Sequence, residues 1–241
     1  MAATALAQDF FGRRGRRAPA VDPETRVAYD GKFAFVRLRY GGFGDGFYRE
    51  PPWAHDYPRA ERHFMKILKE ITFLDLHLDE SNILSLDDPE LFKYPIAYMS
   101  EPGYWTMSDE EVVAMRNYFQ KGGFVIFDDF RAEHWQNFEA QMRRVLPEGR
   151  LVELDATSQI FHSFFEINSL EFVQLYDRGL KATFHGMYED NDPKKRLLLI
   201  ANYNNDIGEY WEFSDQGYIP IDLSNEAYKF GVNYVVYALT H

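Results

Sequence analysis

The residues that could do chemistry collect where a parallel sheet would place them. In an open α/β sheet, ligands lie in the crevice beyond the carboxyl ends of the strands. Three strand-like runs end in polar residues of the required kind. After 33–40 come Gly41, Gly42, Asp45 and Trp53; after 124–127 come Asp128 and Asp129; after 197–203 come Asn204, Asn205 and Asp206. His162, within the aromatic segment 161–165, is the imidazole expected to approach them. Carboxylates with a histidine are proton-transfer groups. Asp128, His162 and Asp206 are therefore the catalytic candidates, and Gly41, Gly42, Asp128, Asp129, Asn205 and Asp206 the candidate ligand contacts. Neighbours on a strand point to opposite faces, so Asp128 and Asp129 should not form an acid–base pair. One is expected to face the crevice. The other should cap the next helix, where a negative charge meets free amides.

Other polar groupings carry less. Asp75, His77 and Asp79 share a face at i, i+2 and i+4, but a water-facing strand has the same pattern, and no fourth ligand is in view. No metal site is expected. His134 reads as a packed or surface histidine on a helix. No Walker loop, GxGxxG, GxSxG or HExxH occurs, and no cofactor is expected. Cysteine is absent, which excludes disulfides, thiolate metal sites and thiol nucleophiles together.

The elements that must position these groups are legible in the periodicity. Ala60, Phe64, Ile67 and Leu68 form the apolar stripe of a helix, with Pro58 suited to its first position. Leu74, Leu76 and Leu78 alternate with polar residues as a strand with one wet face. Residues 94–99 are a further strand. Ser108 and Glu111 make a capping box for a helix that buries Val112, Met115 and Phe119 and closes at Lys121-Gly122. The run 124–127 is apolar throughout, as a central strand buried on both faces would be. Trp135, Phe138, Met142 and Val145 line another helix. Residues 151–154, 182–188 and 197–203 are strand-like, and a last helix starts near Ser224. Alternating strands and helices predict a mostly parallel sheet with helices on both faces. One domain is expected over 31–241.

Residues 1–30 read as an extended arm without periodicity. Residues 1–26 hold five arginines against Asp9, Asp22 and Glu24, a balance of +2, while the whole chain carries −12 and the remainder therefore −14. That balance argues against nucleic acid as a partner. Arg13, Arg14, Arg16 and Arg17 suit carboxylates or phosphates of a partner. Ala5-Leu6-Ala7 resembles the end of a secretory signal, so 1–7 is expected to be a signal remnant and the protein periplasmic or otherwise extracytoplasmic. With 21 Phe and 16 Tyr in 241 residues, a Phe-rich core with tyrosines at its margin is expected, and with it an aromatic contact surface. No apolar run is long enough to cross a membrane.

These blocks resemble a bacterial family catalogued as domain of unknown function 4159. The resemblance lies in FAFVRLRYGG at 33–42, YPIAYMSEPGYW at 94–105, SDEEVVAMRNYFQKGGFVIFDDF at 108–130, FHSFFEI at 161–167, NNDIGEYWE at 204–212 and GVNYVVYALTH at 231–241. It implies a three-layer, flavodoxin-like, class I glutamine-amidotransferase-like fold. In the catalytic members of that fold, the turn after the central strand carries a Cys nucleophile activated by a His. Here the corresponding turn offers Asp128-Asp129, so glutaminase activity is excluded. The chain also departs from the family's pattern at Ser158 and Gln159, where a His often precedes the FHSFF block.

Two functions follow from these features. The one favoured by the missing nucleophile and the arm is a non-catalytic extracytoplasmic binding or scaffold subunit. It would dock through the arm and an aromatic surface onto a larger protein assembly, including one at a membrane. The alternative is a hydrolase-like enzyme using the Asp/His/Asn crevice at the carboxyl edge of the sheet.

Overall fold

A computed structural model describes residues 27–42, 51–172 and 179–241. Within them the strands are β1 (Phe33–Arg39), β2 (Gly41–Gly42), β3 (Leu76–Ser85), β4 (Ile96–Ser100), β5 (Trp105–Thr106), β6 (Phe124–Phe130), β7 (Val152–Glu153), β8 (Thr183–Tyr188) and β9 (Leu197–Tyr203). The helices are α1 (Arg59–Ile71), α2 (Asp109–Gln120), α3 (His134–Val145), α4 (Ile207–Glu212) and α5 (Ile221–Thr240). Seven strands form one sheet in the order β3-β1-β4-β6-β9-β8-β7, and β2 pairs with β5 beside it. The first five strands run parallel, whereas β8 and β7 add antiparallel pairings. The mostly parallel α/β sheet expected from the alternation is present.

The side-chain pattern explains the layering. Strands β4 and β6 are buried at every position, as parallel strands covered on both faces must be. Along β6, Val125 and Phe127 join Val112, Met115 and Phe119 of α2 and Phe138 and Met142 of α3. Phe124 and Ile126 join Phe64 and Leu68 of α1, Trp211 of α4 and Tyr234 of α5. Period-two alternation thus fills two cores, one on each side of the sheet.

Three local details sharpen the sequence reading. The capping box forms as expected: the Glu111 amide donates to Ser108 Oγ at 3.2 Å and the Ser108 amide donates to Glu111 at 2.8 Å. Pro58 precedes α1 instead of opening it. On β3 the Leu74/Leu76/Leu78 alternation misplaces the buried part, since Leu78 is exposed and Asn82, Ile83 and Leu84 are the buried run. The cause is an irregularity on this edge strand: Leu76 pairs with Phe33 and Ser81 with Phe35, so residues 77–80 bulge out of the ladder with β1.

Ahead of β1 the chain is tied to that edge at Val27. Its amide donates to Asn82 Oδ1 at 2.9 Å, and its carbonyl accepts from Asn82 Nδ2 and from the Tyr94 hydroxyl. The expected signal remnant and the arginines at 13, 14, 16 and 17 lie outside the described residues, as does Asp45.

His185 on β8 gives a pH-dependent stability. It lies between Trp135, 4.5 Å away ring to ring, and Tyr203. Burial there holds its pKa below the usual 6.5. The unfolded chain then takes up the proton first, so acidification below about 6.5 costs stability until the folded-state value is passed. Urea midpoints between pH 8 and 5 should therefore fall more for the wild type than for His185→Gln. Parallel curves for the two proteins would refute this.

Candidate functional site

A buried cation builds the edge of the site. Arg37 on β1 is fully buried, and a guanidinium in that position needs a charge partner and acceptors for its fork. Glu61 of α1 takes Nε, and Nη1 donates to the carbonyls of Trp53 at 3.0 Å and His55 at 2.8 Å. The guanidinium also lies over the Tyr98 ring, 4.9 Å from its centroid. One side chain thereby fixes residues 53–55, ahead of α1, against the sheet. His55 and Asp56 are delivered to the carboxyl ends of the parallel strands.

The two aspartates after the core of β6 divide as expected, with one difference. Asp128 is buried and accepts four hydrogen bonds: Oδ1 from Asn202 Nδ2 at 2.9 Å and the Ile207 amide at 3.2 Å, Oδ2 from the Tyr98 hydroxyl and the Gly208 amide, both at 2.8 Å. Burial pushes its pKa up to about 6 although the four donors favour the ionised form. The helix it caps is α4, which follows β9, and not the helix that follows β6. Asp129 faces the crevice, and its Oδ2 meets His55 Nδ1 at 2.6 Å.

Around that contact lies a carboxylate cluster. His55, Glu101 and Asp129 bring ligand atoms within 4.8 Å of one another, as do His55, Asp56 and Asp206, and Asp56, Glu209 and Glu212. The electrostatics follow from crowding and desolvation. The charge of Asp56, with the hydrogen bond His55 donates to Asp129, raises His55 well above 6.5 in spite of burial. Burial by itself would raise Asp129, but the His55 hydrogen bond and charge outweigh it and hold Asp129 below 3.8. Burial and then the Asp129 charge push Glu101 up to about 8. Burial and Asp56 push Glu212 to about 8. Burial, Asp129 and Asp56 raise Asp206 well above its usual value. The ion pair of His55 and Asp129 thus sits beside Glu101 and Glu212, carboxyl groups that hold protons near neutrality.

The backbone is strained at the same place. Asp56 (φ 65°), Glu101 (φ 48°), Asp129 (φ 56°) and Asn204 (φ 54°) occupy the left-handed region, which costs a residue with a Cβ roughly 1–3 kcal/mol. Three of the four carry carboxylates of the cluster.

The sequence candidates separate accordingly. Asp129 and Asp206 are in the cluster, and Asp206 also caps α4 by accepting from the Glu209 amide at 3.0 Å. Asn205 bridges to Phe130 and accepts from the Asp206 amide, so it shapes the turn after β9. Gly41 and Gly42 form β2 against Thr106 and Trp105. Asp128 has both oxygens engaged structurally, which corrects its assignment as a reacting or ligand-contacting group. His162 is also corrected: its ring nitrogens meet Glu166 and the Ala156 carbonyl, both at 2.6 Å, and it does not join Asp128 and Asp206. His134 packs edge-on against Tyr104, and His77 meets Asp30 and Glu80. Sequence reading missed His55, Asp56, Glu101, Glu209 and Glu212. A signal existed for the last two: acidic residues three apart on a short helix directly behind Asp206.

Residues 34–239 match the model of a domain of unknown function, DUF4159. No curated protein matches the chain.

Two stability predictions follow. Arg37→Ala strands the Glu61 carboxylate in the core and should cost about 3–5 kcal/mol in chemical denaturation. The double variant Arg37→Met/Glu61→Leu should recover much of that loss. Glu101→Gly removes a left-handed Cβ and a desolvated carboxyl and should raise stability by roughly 1 kcal/mol. A lowered midpoint would contradict the strain.

Proposed function

We propose that this chain, which belongs to the DUF4159 family, is a hydrolase-type enzyme whose centre is the His55–Asp129 pair at the carboxyl edge of the sheet. The observation that carries this reading is the 2.6 Å contact between His55 Nδ1 and Asp129 Oδ2, with Glu101 and Asp206 converging on the same imidazole. A carboxylate on one ring nitrogen fixes the orientation of the ring and leaves Nε2 for proton transfer. In hydrolysis, His55 donates its Nε2 proton to the leaving group as the scissile bond breaks. The attacking water passes a proton to the Asp206 carboxylate as its oxygen bonds to the electrophilic carbon. That proton returns to His55, and the net change is addition of water across one bond.

The fold is read, more finely, as flavodoxin-like and class I glutamine-amidotransferase-like. The parallel order β3-β1-β4-β6-β9 is compatible with it. In that reading the carboxyl end of β6, where the catalytic relatives place a thiol, carries Asp129. An aspartate there cannot perform thiolate acyl transfer, but it can hold a histidine.

The competing reading is a non-catalytic subunit that docks through Arg13, Arg14, Arg16 and Arg17 in an extracytoplasmic assembly. It draws on residues outside the described ones. A panel of chromogenic carboxylic esters, anilides, phosphoesters and glycosides, assayed with the purified chain, separates the two. Hydrolysis of at least one class is expected, reduced about 100-fold or more by His55→Ala and by Asp129→Asn. A silent panel, or hydrolysis indifferent to both substitutions, sinks the enzymatic reading and leaves the docking one.

A further inference from the structure

The most demanding feature of the crevice is the carboxylate of Asp56. Its side chain has no exposed surface, yet neither oxygen accepts a hydrogen bond from an N–H or hydroxyl group. Buried charged groups are ordinarily paired, hydrogen-bonded or coordinated to a metal. Asp128, two strands along, shows what full satisfaction looks like here, with four donors on its two oxygens. Asp56 is instead faced by carboxylates. Oxygens of Asp56, Glu209 and Glu212 lie within 4.8 Å of one another, with the first two residues buried and the third half-buried.

The neighbouring cations give Asp56 no hydrogen bond. Arg37 gives Nε to Glu61 and Nη1 to two carbonyls, Arg59 pairs with Asp215, and His55 Nδ1 is shared, hydrogen-bonded to Asp129 at 2.6 Å and 3.8 Å from Asp56 Oδ1. Three convergent carboxyl groups, one of them fully desolvated and without a hydrogen-bond donor, form an all-oxygen donor set in which a cation could replace the protons. Hard divalent cations take such oxygen donors, and imidazole- or thiolate-preferring ions do not select for them.

We propose that Asp56, Glu209 and Glu212 bind a divalent cation of the Mg2+, Mn2+ or Ca2+ class beside the His55–Asp129 pair. Glu209 and Glu212 stand three residues apart on α4, so both project on the same side of the helix toward Asp56. Gly208 makes the approach possible: a Cβ there would lie 2.6 Å from Asp56 Oδ2 and 2.7 Å from the Tyr98 hydroxyl. The site replaces the sequence-based expectation of no metal, which considered only Asp75, His77 and Asp79. Binding of the ion stands on these residues alone; a part in catalysis, polarising a substrate oxygen next to His55, rests on the hydrolytic reading.

The test is a titration of the full chain with Tb3+, a hard-cation probe, following luminescence sensitised by Tyr210 and Trp211, together with calorimetry using Mg2+, Mn2+ and Ca2+. One saturable site per chain is expected. Glu212→Gln, at a half-buried position that tolerates the change, should weaken it by about tenfold or more. Glu139→Gln on α3 should leave it unchanged, with circular dichroism verifying the fold of each variant. Absence of saturable binding in the folded wild type, as when a buried water bridges Asp56 and Arg37 Nη2, overturns the proposal. Wild-type affinity in both Glu209→Gln and Glu212→Gln overturns it equally. Binding without hydrolysis on the substrate panel retires the hydrolytic reading and keeps the ion. Hydrolysis that survives EDTA in a chain that binds no ion does the reverse.

Discussion

The carboxyl edge of the sheet depends on one buried carboxylate with all its acceptor capacity engaged. Asp128 takes donors from β4 (Tyr98), β9 (Asn202) and the first turn of α4 (Ile207 and Gly208). The network continues outward, because the Asn202 side-chain carbonyl accepts from Tyr234 of α5 at 2.9 Å. A buried polar network of this kind is favourable only when every member is satisfied, since a lost partner leaves a desolvated charge. The arrangement therefore tolerates little slack. It fixes where α4 begins, and with it the positions of Asp206, Glu209 and Glu212.

Three buried charges within this small region illustrate three outcomes of desolvation. Asp128 is compensated by hydrogen bonds, and Arg37 by an ion pair with Glu61 supplemented by backbone carbonyls. Asp56 has no hydrogen-bond donor and only a long ion-pair approach, 3.8 Å from Oδ1 to His55 Nδ1, among the described residues. The first two hold elements together: Asp128 joins sheet to α4 and α5, and Arg37 joins sheet to α1 and the 51–58 segment. The Asp56 backbone carbonyl accepts from the Arg59 and Ala60 amides at the start of α1, whereas its side chain takes no hydrogen bond and is balanced only by the His55 charge 3.8 Å away.

Much of the architecture was legible because it follows from periodicity. The buried run of β6, the capping box of α2 and the apolar stripes of α1 and α3 are local patterns, and local patterns identify elements. The rule that ligands gather at carboxyl ends also pointed to the turns that bring Asp129 and Asp206 into one cluster. What escaped were relations between distant segments. Asp128 was legible as a cap but not as the cap of α4, whose first residues lie about 80 positions later. His55 and Asp56 sit in a segment bounded by Pro51, Pro52 and Pro58, where no periodicity speaks, and their placement depends on the reach of Arg37. His162 misled because its aromatic neighbours suggested a core position near the crevice. After β7 the chain instead crosses onto α5, where Asn233 accepts from the amides of Phe164 and Phe165, and the histidine goes with it.

The absence of cysteine acquires a physical counterpart at the carboxyl end of β6. A thiol at such a position would act by becoming a thiolate, which needs surroundings that favour negative charge. The surroundings here do the opposite. Carboxylates from β6, from the turn after β4 and from α4 crowd one space, and burial with mutual repulsion lifts Glu101, Glu212 and Asp206 toward protonation. Such a site stabilises positive charge, whether the imidazolium of His55 or a metal ion, and would oppose formation of an anionic nucleophile. Asp129 fits that field because its own negative charge is matched by His55 at 2.6 Å. Crowded, desolvated carboxyl groups at this sheet edge favour protons and cations over an anionic nucleophile.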